Sequence, residues 1–168
     1  LYDSWRGGYD LKAIGAASDF ISVMSYDQHT GRTPPGPVAG LPWARAVADY
    51  YLRYVPPEKL SLGIPLYGKH WSARAVEGDR RVGTDADYVD WSWGSSLAAR
   101  NGATMQWDST QAVPFAYYEV GGTFEWLFLE NARSFAAKLA LMREKKLRGF
   151  SAWSIGTEDE GIWNELRR

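Results

Sequence analysis

Cysteine is missing from all 168 residues, which excludes disulfides, thiolate metal sites and cysteine nucleophiles but identifies no compartment. An excess of either charge is missing too: 19 Lys and Arg stand against 20 Asp and Glu, a net charge of -1. No basic run or stripe exists to track a phosphate backbone, so no nucleic acid is expected as a partner. No stretch approaches the ~18 apolar residues of a membrane span, and no charged-then-apolar leader precedes Leu1. The chain opens mid-pattern without an initiating methionine, as expected of a segment whose beginning lies upstream. Internal repeats and low-complexity tracts are absent.

What is present is an unusual load of rings. Nine Trp, 10 Tyr and 6 Phe exceed what a core of this size absorbs, so some rings are expected to face a ligand although each alone reads as packing. At 45% apolar residues, the chain is long enough for one unit with a sizeable core.

Three β-rich runs stand out: "FISVMSYD" from Phe20, "LSLGIPLYG" from Leu60 and "GFSAWSIG" from Gly149. Between the first two, Pro42 is placed for a first helical turn, and Trp43, Val47, Tyr50, Tyr51 and Tyr54 recur at helical spacing until "VPPEK". A second helix is predicted from about Glu130 to Lys146, with Ala132, Phe135, Ala136, Leu139 and Met142 on one face. This strand and helix alternation is the rhythm of a parallel α/β sheet. From about Ser72 to Glu125 the rhythm breaks into "EGDRRVG", "RNGATMQWD" and "EVGGTFEW" around a small helix at Ser95 to Arg100, which reads as an inserted α+β subdomain. The organisation expected is therefore a parallel part over 1–71, an insertion over 72–125 and a second parallel part over 126–168.

Side-chain direction along the strands narrows the architecture. The second run carries Leu60, Leu62, Ile64 and Leu66 on one face and Ser61, Gly63, Pro65 and Tyr67 on the other. The first divides Ile21 and Val23 from Ser22, Met24 and Tyr26, and the third divides Phe150 and Ala152 from Ser151 and Trp153. Two helix-covered faces would both be apolar, so the mixed face fits the inside of a barrel, whose ligands bind at the carboxyl ends of the strands. Tyr26, Asp27, Tyr67 and Trp153 are thereby expected around one cleft.

"SDFISVMSYDQH", "PPGPVAGLPW", "PPEKLSLGIPLYGKHW" and "LRGFSAWSIGTED", in that order, resemble the C-terminal half of glycoside hydrolase family 18, nearest its bacterial branch of spore-germination and cell-wall glycosylases. The resemblance implies a (β/α)8 TIM barrel, with the three runs as strands six, seven and eight and an α+β insertion between seven and eight. It implies hydrolysis of β-linked N-acetylglucosamine polymers, chitin or peptidoglycan in type, by retaining catalysis in which the sugar's own 2-acetamido oxygen attacks the anomeric carbon. Carried over, Tyr26 and Asp27 are the catalytic residues: the Tyr26 hydroxyl holds the acetamido group, and Asp27 stabilises the partly charged intermediate. Met24, Tyr67 and Trp153 become substrate-binding residues, Trp153 as the floor beneath the reacting sugar. No cofactor or metal is implied, and an extracellular or cell-envelope location is.

One departure is large. The family's general acid is the glutamate of an Asp-x-x-Asp-x-Asp-x-Glu motif on strand four, and this chain contains no Asp-x-Glu, so these residues alone are expected to be inactive. A smaller departure lies at Leu129 and Asn131, where relatives tend to carry an aromatic and an aspartate, which weakens any sugar contact by Glu130. Other readings stand beside these. Asp27 alone suits a loop cap; Asp27, His29 and His70 imitate a metal site of a metal-dependent barrel hydrolase; Glu158 and Asp159 suit either an acid pair or a helix N-terminus. A catalytically inactive, lectin-like relative is the third functional class.

Overall fold

The computed structural model describes residues 9–74 and 85–167, so the "EGDRRVG" turn lies outside the described residues. A short helix α1 (Leu11–Ala17), whose N-terminal amides are met by the side chain of Asp10, leads into strand β1 (Ile21–Val23). Helix α2 (Leu41–Tyr51) follows, with Pro42 in its first turn where a missing N–H is harmless. Strand β2 (Leu60–Pro65) is buried along its whole length.

The chain then leaves the parallel layer. Strands β3 (Gly68–Arg74) and β4 (Asp85–Val89), helix α3 (Trp91–Arg100), and strands β5 (Gln106–Asp108), β6 (Val113–Val120) and β7 (Thr123–Phe128) form one unit. It is a five-stranded antiparallel sheet in the order β4-β3-β7-β6-β5. Its sheet begins before Ser72 and ends after Glu125, because β3 and β7 are its paired central strands. Helix α4 (Ala132–Glu144), strand β8 (Gly149–Trp153) and the short α5 (Ile162–Glu165) complete the described chain.

β1, β2 and β8 make a second sheet, parallel throughout and adjacent in the order of the sequence. Leu60, Leu62, Ile64 and Leu66 point to the helices, as their period-2 spacing predicts, and join Val23, Ala44, Ala48, Phe135, Leu139 and Leu141 in one core. On the opposite face Ser22 and Ser151 share a hydrogen bond of 2.6 Å across β2. Gly63 lies beneath: a β-carbon there would stand 2.2 Å from the Val23 carbonyl oxygen, so only glycine admits the bent end of β1.

Several elements differ from their expected extent. β1 stops at Val23 rather than running on to Asp27, because the Ser25 amide turns back to the Val23 carbonyl and its hydroxyl donates to the Gly63 carbonyl at 2.7 Å. α2 buries Ala44 and Ala48, with Val47 and Tyr51 packed against the same core, whereas Tyr50, and Tyr54 beyond the helix, are exposed; small residues let the helix lie close to the sheet. α3 starts at Trp91, four residues before Ser95, because the Asp90 carboxylate caps it through the Trp93 amide at 2.7 Å. α4 is set by the capping box of Asn131 and Ser134. The sequence pattern also missed that Lys138, on the buried side of α4, pairs with Glu130 at 2.7 Å.

Candidate active site

Asp27 follows β1 in a left-handed backbone conformation, with φ of 62°, a region where Asp is better tolerated than most residues. Its carboxylate is the meeting point of three donors, from the β2–β3 connection, β3 and β4. The Tyr67 hydroxyl donates to Oδ1 at 2.8 Å and the Lys69 ammonium to the same oxygen at 2.6 Å. The Tyr88 hydroxyl approaches Oδ2 at 3.4 Å.

Lys69 is 2% exposed, and a buried ammonium requires a counter-charge and full hydrogen bonding. Asp27 supplies the charge and the His29 carbonyl accepts a second bond at 2.9 Å. Nothing in the sequence pattern marked Lys69 or Tyr88. They reach Asp27 because β3 and β4 pair so that Lys69 faces Tyr88.

The phenols around this charge hold their protons tightly. Burial, then the hydrogen bond to Asp27, pushes the Tyr67 phenol far above its ordinary value, and burial followed by the Asp27 charge raises Tyr88. Tyr26 is raised by burial first and Asp27 second; its ring meets Tyr67 edge-on, with centroids 6.4 Å apart. These groups act as hydrogen-bond donors, not as bases.

Beside the hub lies a cleft of about 540 Å³ between the insertion and β8, lined by Tyr67, Tyr88, Trp93, Trp153 and Thr157 among others. That volume is in the range of ligand pockets. Trp153 is 59% exposed, on the strand face opposite the helices. Met24 shares that side of β1 and is 75% exposed, outside the cleft lining. Thus Tyr67 and Trp153 line the cleft, Tyr26 and Asp27 adjoin it through Tyr67 and Tyr88, and the structure does not bring Met24 to it.

The family model of glycosyl hydrolases family 18 matches residues 1–158. This chain belongs to that family. It is 32% identical over 160 residues to the cortical fragment-lytic enzyme of Bacillus subtilis, covering 95% of this chain and 36% of that protein. A chitinase from Chromobacterium violaceum shares 35% identity at a TM-score of 0.83, over 95% of this chain and 48% of that one. The spore cortex-lytic enzyme SleL of Bacillus megaterium shares 29% identity at a TM-score of 0.85, over 99% and 37%. The chain spans less than half the length of each of these relatives.

In this family 18 chain the remaining candidate residues turn to other partners. His29 Nδ1 lies 3.0 Å from the Pro34 carbonyl, and His70 Nε2 lies 2.5 Å from Glu125 in the insertion sheet. Among the described residues no three His, Asp or Glu side chains gather as a metal site would need. Asp159 accepts from the Ala132 amide at the start of α4 and from Gly161 before α5, and Glu158 accepts from Gly156. Glu130 is sealed against Lys138 and Ser134; burial, set against that ammonium, still raises its carboxyl above the ordinary value.

Proposed function

We propose that this chain is the strand-six-to-eight part of a (β/α)8 glycosidase that hydrolyses β-linked N-acetylglucosamine polymers, chitin or peptidoglycan in type, by substrate-assisted retaining catalysis. One observation carries the reading: in a family 18 chain, two phenols and a buried ammonium converge on Asp27 beside a tryptophan-walled cleft. A carboxylate held this way is preorganised for charge that develops in the reaction. Tyr26, whose hydroxyl has no hydrogen bond among the described residues, is the donor to the acetamido oxygen. That oxygen attacks the anomeric carbon, the glycosidic bond breaks, and the leaving oxygen takes its proton from the strand-four glutamate, which lies outside these 168 residues. Asp27 stabilises the positive charge left on the acetamido group. Trp153 forms the floor and Tyr67 the wall. Its resemblance to cortex-lytic enzymes and a chitinase fits an extracellular or cell-envelope enzyme.

The test is product stereochemistry. The complete protein, given N-acetylglucosamine oligosaccharides or cortex peptidoglycan, should release the β-anomer first, seen by proton NMR. Initial release of the α-anomer would remove substrate-assisted retention. The 168 residues alone should show no turnover, since loss of a general acid forfeits ~10²–10⁴-fold in rate. The lectin-like reading predicts instead that the complete protein binds the same sugars without cleaving them.

A further inference from the structure

Two tryptophans line the cleft, and the glycosidase reading uses one. The other is Trp93 on α3, 43% exposed. Its exposure is not the by-product of docking the helix. α3 packs on the sheet through Gly94 and Ala98, which are buried, and Gly94 lies so close to Leu129 that a β-carbon would come within 2.8 Å of that side chain. Trp93, one position before that contact residue, sits at the margin of the seam and lines the cleft.

Trp93 is also held from below. The His70 ring meets it edge-on, with centroids 5.8 Å apart, an arrangement aromatic quadrupoles favour. His70 is anchored in turn by Glu125, whose Oε2 lies 2.5 Å from Nε2 and accepts the Ser72 hydroxyl at 2.7 Å. Both side chains are nearly buried, 14% and 10% exposed. At the helix end, the Asp90 carboxylate fixes the Trp93 backbone. A large exposed ring fixed at backbone and side chain loses little freedom on meeting a ligand, which is what makes such a residue an anchor.

We propose that Trp93 is a second sugar-stacking residue of the cleft, facing the pyranose chain from the insertion side, and that His70, Glu125 and Ser72 are positioning residues for it. The occupant is a neutral saccharide unit, whose C–H face packs on an indole while its hydroxyls reach Ser154, Thr157 and the rim carboxylates of Asp87 and Asp90. This inference rests on the glycosidase reading and adds a residue that the sequence did not single out.

In the complete protein, Trp93→Ala should raise KM for N-acetylglucosamine oligosaccharides about tenfold and leave kcat within about twofold, the pattern of lost binding shared by ground and transition states. Trp93→Phe should recover most of the affinity. His70→Ala should raise KM in the same direction by about threefold and diminish the sugar-induced change in tryptophan emission, with a lowered melting temperature because Glu125 keeps only Ser72 as a partner; in the Trp93→Phe background it should add little to KM. Should Trp93→Ala fail to fold, the Phe variant and His70→Ala carry the test. An unchanged KM in Trp93→Ala while Trp153→Ala impairs turnover overturns the proposal and leaves the glycosidase reading intact. Absence of any sugar binding by the wild-type protein overturns both.

Discussion

The two sheets differ in how much apolar surface they leave beside their edges. The antiparallel insertion is five strands wide: β6 and β7 form a hairpin, β3 closes onto β7 from far along the chain, a helix covers one face, and Ala98, Ala116, Leu127 and Leu129 form a small core of their own. The parallel sheet is three strands wide, and each outer strand has one edge without a partner among the described residues. Around it Met24, Trp153 and Ile155 are 75%, 59% and 79% exposed. Large apolar groups beside open edges mark a surface made to be covered. The comparison teaches that the insertion packs round a core of its own, while the parallel layer, which bears Asp27 and Trp153 of the proposed site, leans on neighbours.

The sharpest way to break that contrast is catalytic. Asp27→Asn in the complete enzyme should lower kcat ~10²–10³-fold, the usual loss when one electrostatic partner of a transition state is removed, with a smaller change in KM. The same substitution deprives buried Lys69 of its counter-charge, so a thermal melt must accompany the kinetics. Full activity of this variant would remove Asp27 from the mechanism and leave the parallel layer without its assigned role.

Next in size is the pair beneath α4. Glu130→Ala leaves the Lys138 ammonium, 1% exposed, without compensation and should lower the unfolding free energy by roughly 3–5 kcal/mol in urea titrations, whereas Glu130→Leu combined with Lys138→Met should come close to wild type. Equal losses in both variants would show that the pair contributes more than mutual compensation.

A smaller effect separates the sheets by glycine. Gly63→Ala drives a methyl into the Val23 carbonyl and should destabilise the parallel layer by about 1–3 kcal/mol. Gly121→Ala, at a hairpin tip with φ of 58° and nothing within 4 Å, should cost only ~1 kcal/mol of backbone strain. A reversal of that order, read by hydrogen exchange in each sheet, would invert the account of which layer is tightly constrained.

The smallest effect concerns pH. Because the folded state raises the Tyr67 phenol above its ordinary value of 10.0, folding binds that proton more tightly. Its contribution is fully present below pH 10 and is lost as pH rises through the higher folded value. Tyr67→Phe should therefore flatten the decline of stability above pH 10 and leave the profile between pH 5 and 9 parallel to wild type. An unchanged alkaline limb would show that other groups set it.

Some of this was legible in the chain alone. Ile21, Val23, Leu60, Leu62 and Ile64 sit at alternate positions in β1 and β2, and a period of two assigns them to one face whatever the sheet packs against; Tyr67 and Trp153 follow to the other face by the same rule. The partners of those residues were not legible. Lys69 finds Asp27 across 42 positions, Tyr88 joins through the β3 and β4 register, and Glu125 reaches His70 across 55 positions. Lysine, tyrosine and glutamate at such places read equally well as solvated surface.

By itself, then, the sequence determined local matters: which stretches become strands or helices, which side of each parallel strand is apolar, and, through "VMSYD" and "GIPLYGKHW", the family. These depend on spacing within a few residues, where backbone geometry is the same in every fold. Tertiary structure decided that Lys69 is a buried counter-ion and not a surface charge, that α2 buries its alanines and packs Tyr51 on the core while Tyr50 stays exposed, and that Trp93 stands over a cleft. Each of those depends on register between strands far apart in the chain, and a one-residue slip in that register would turn every such side chain to the opposite face.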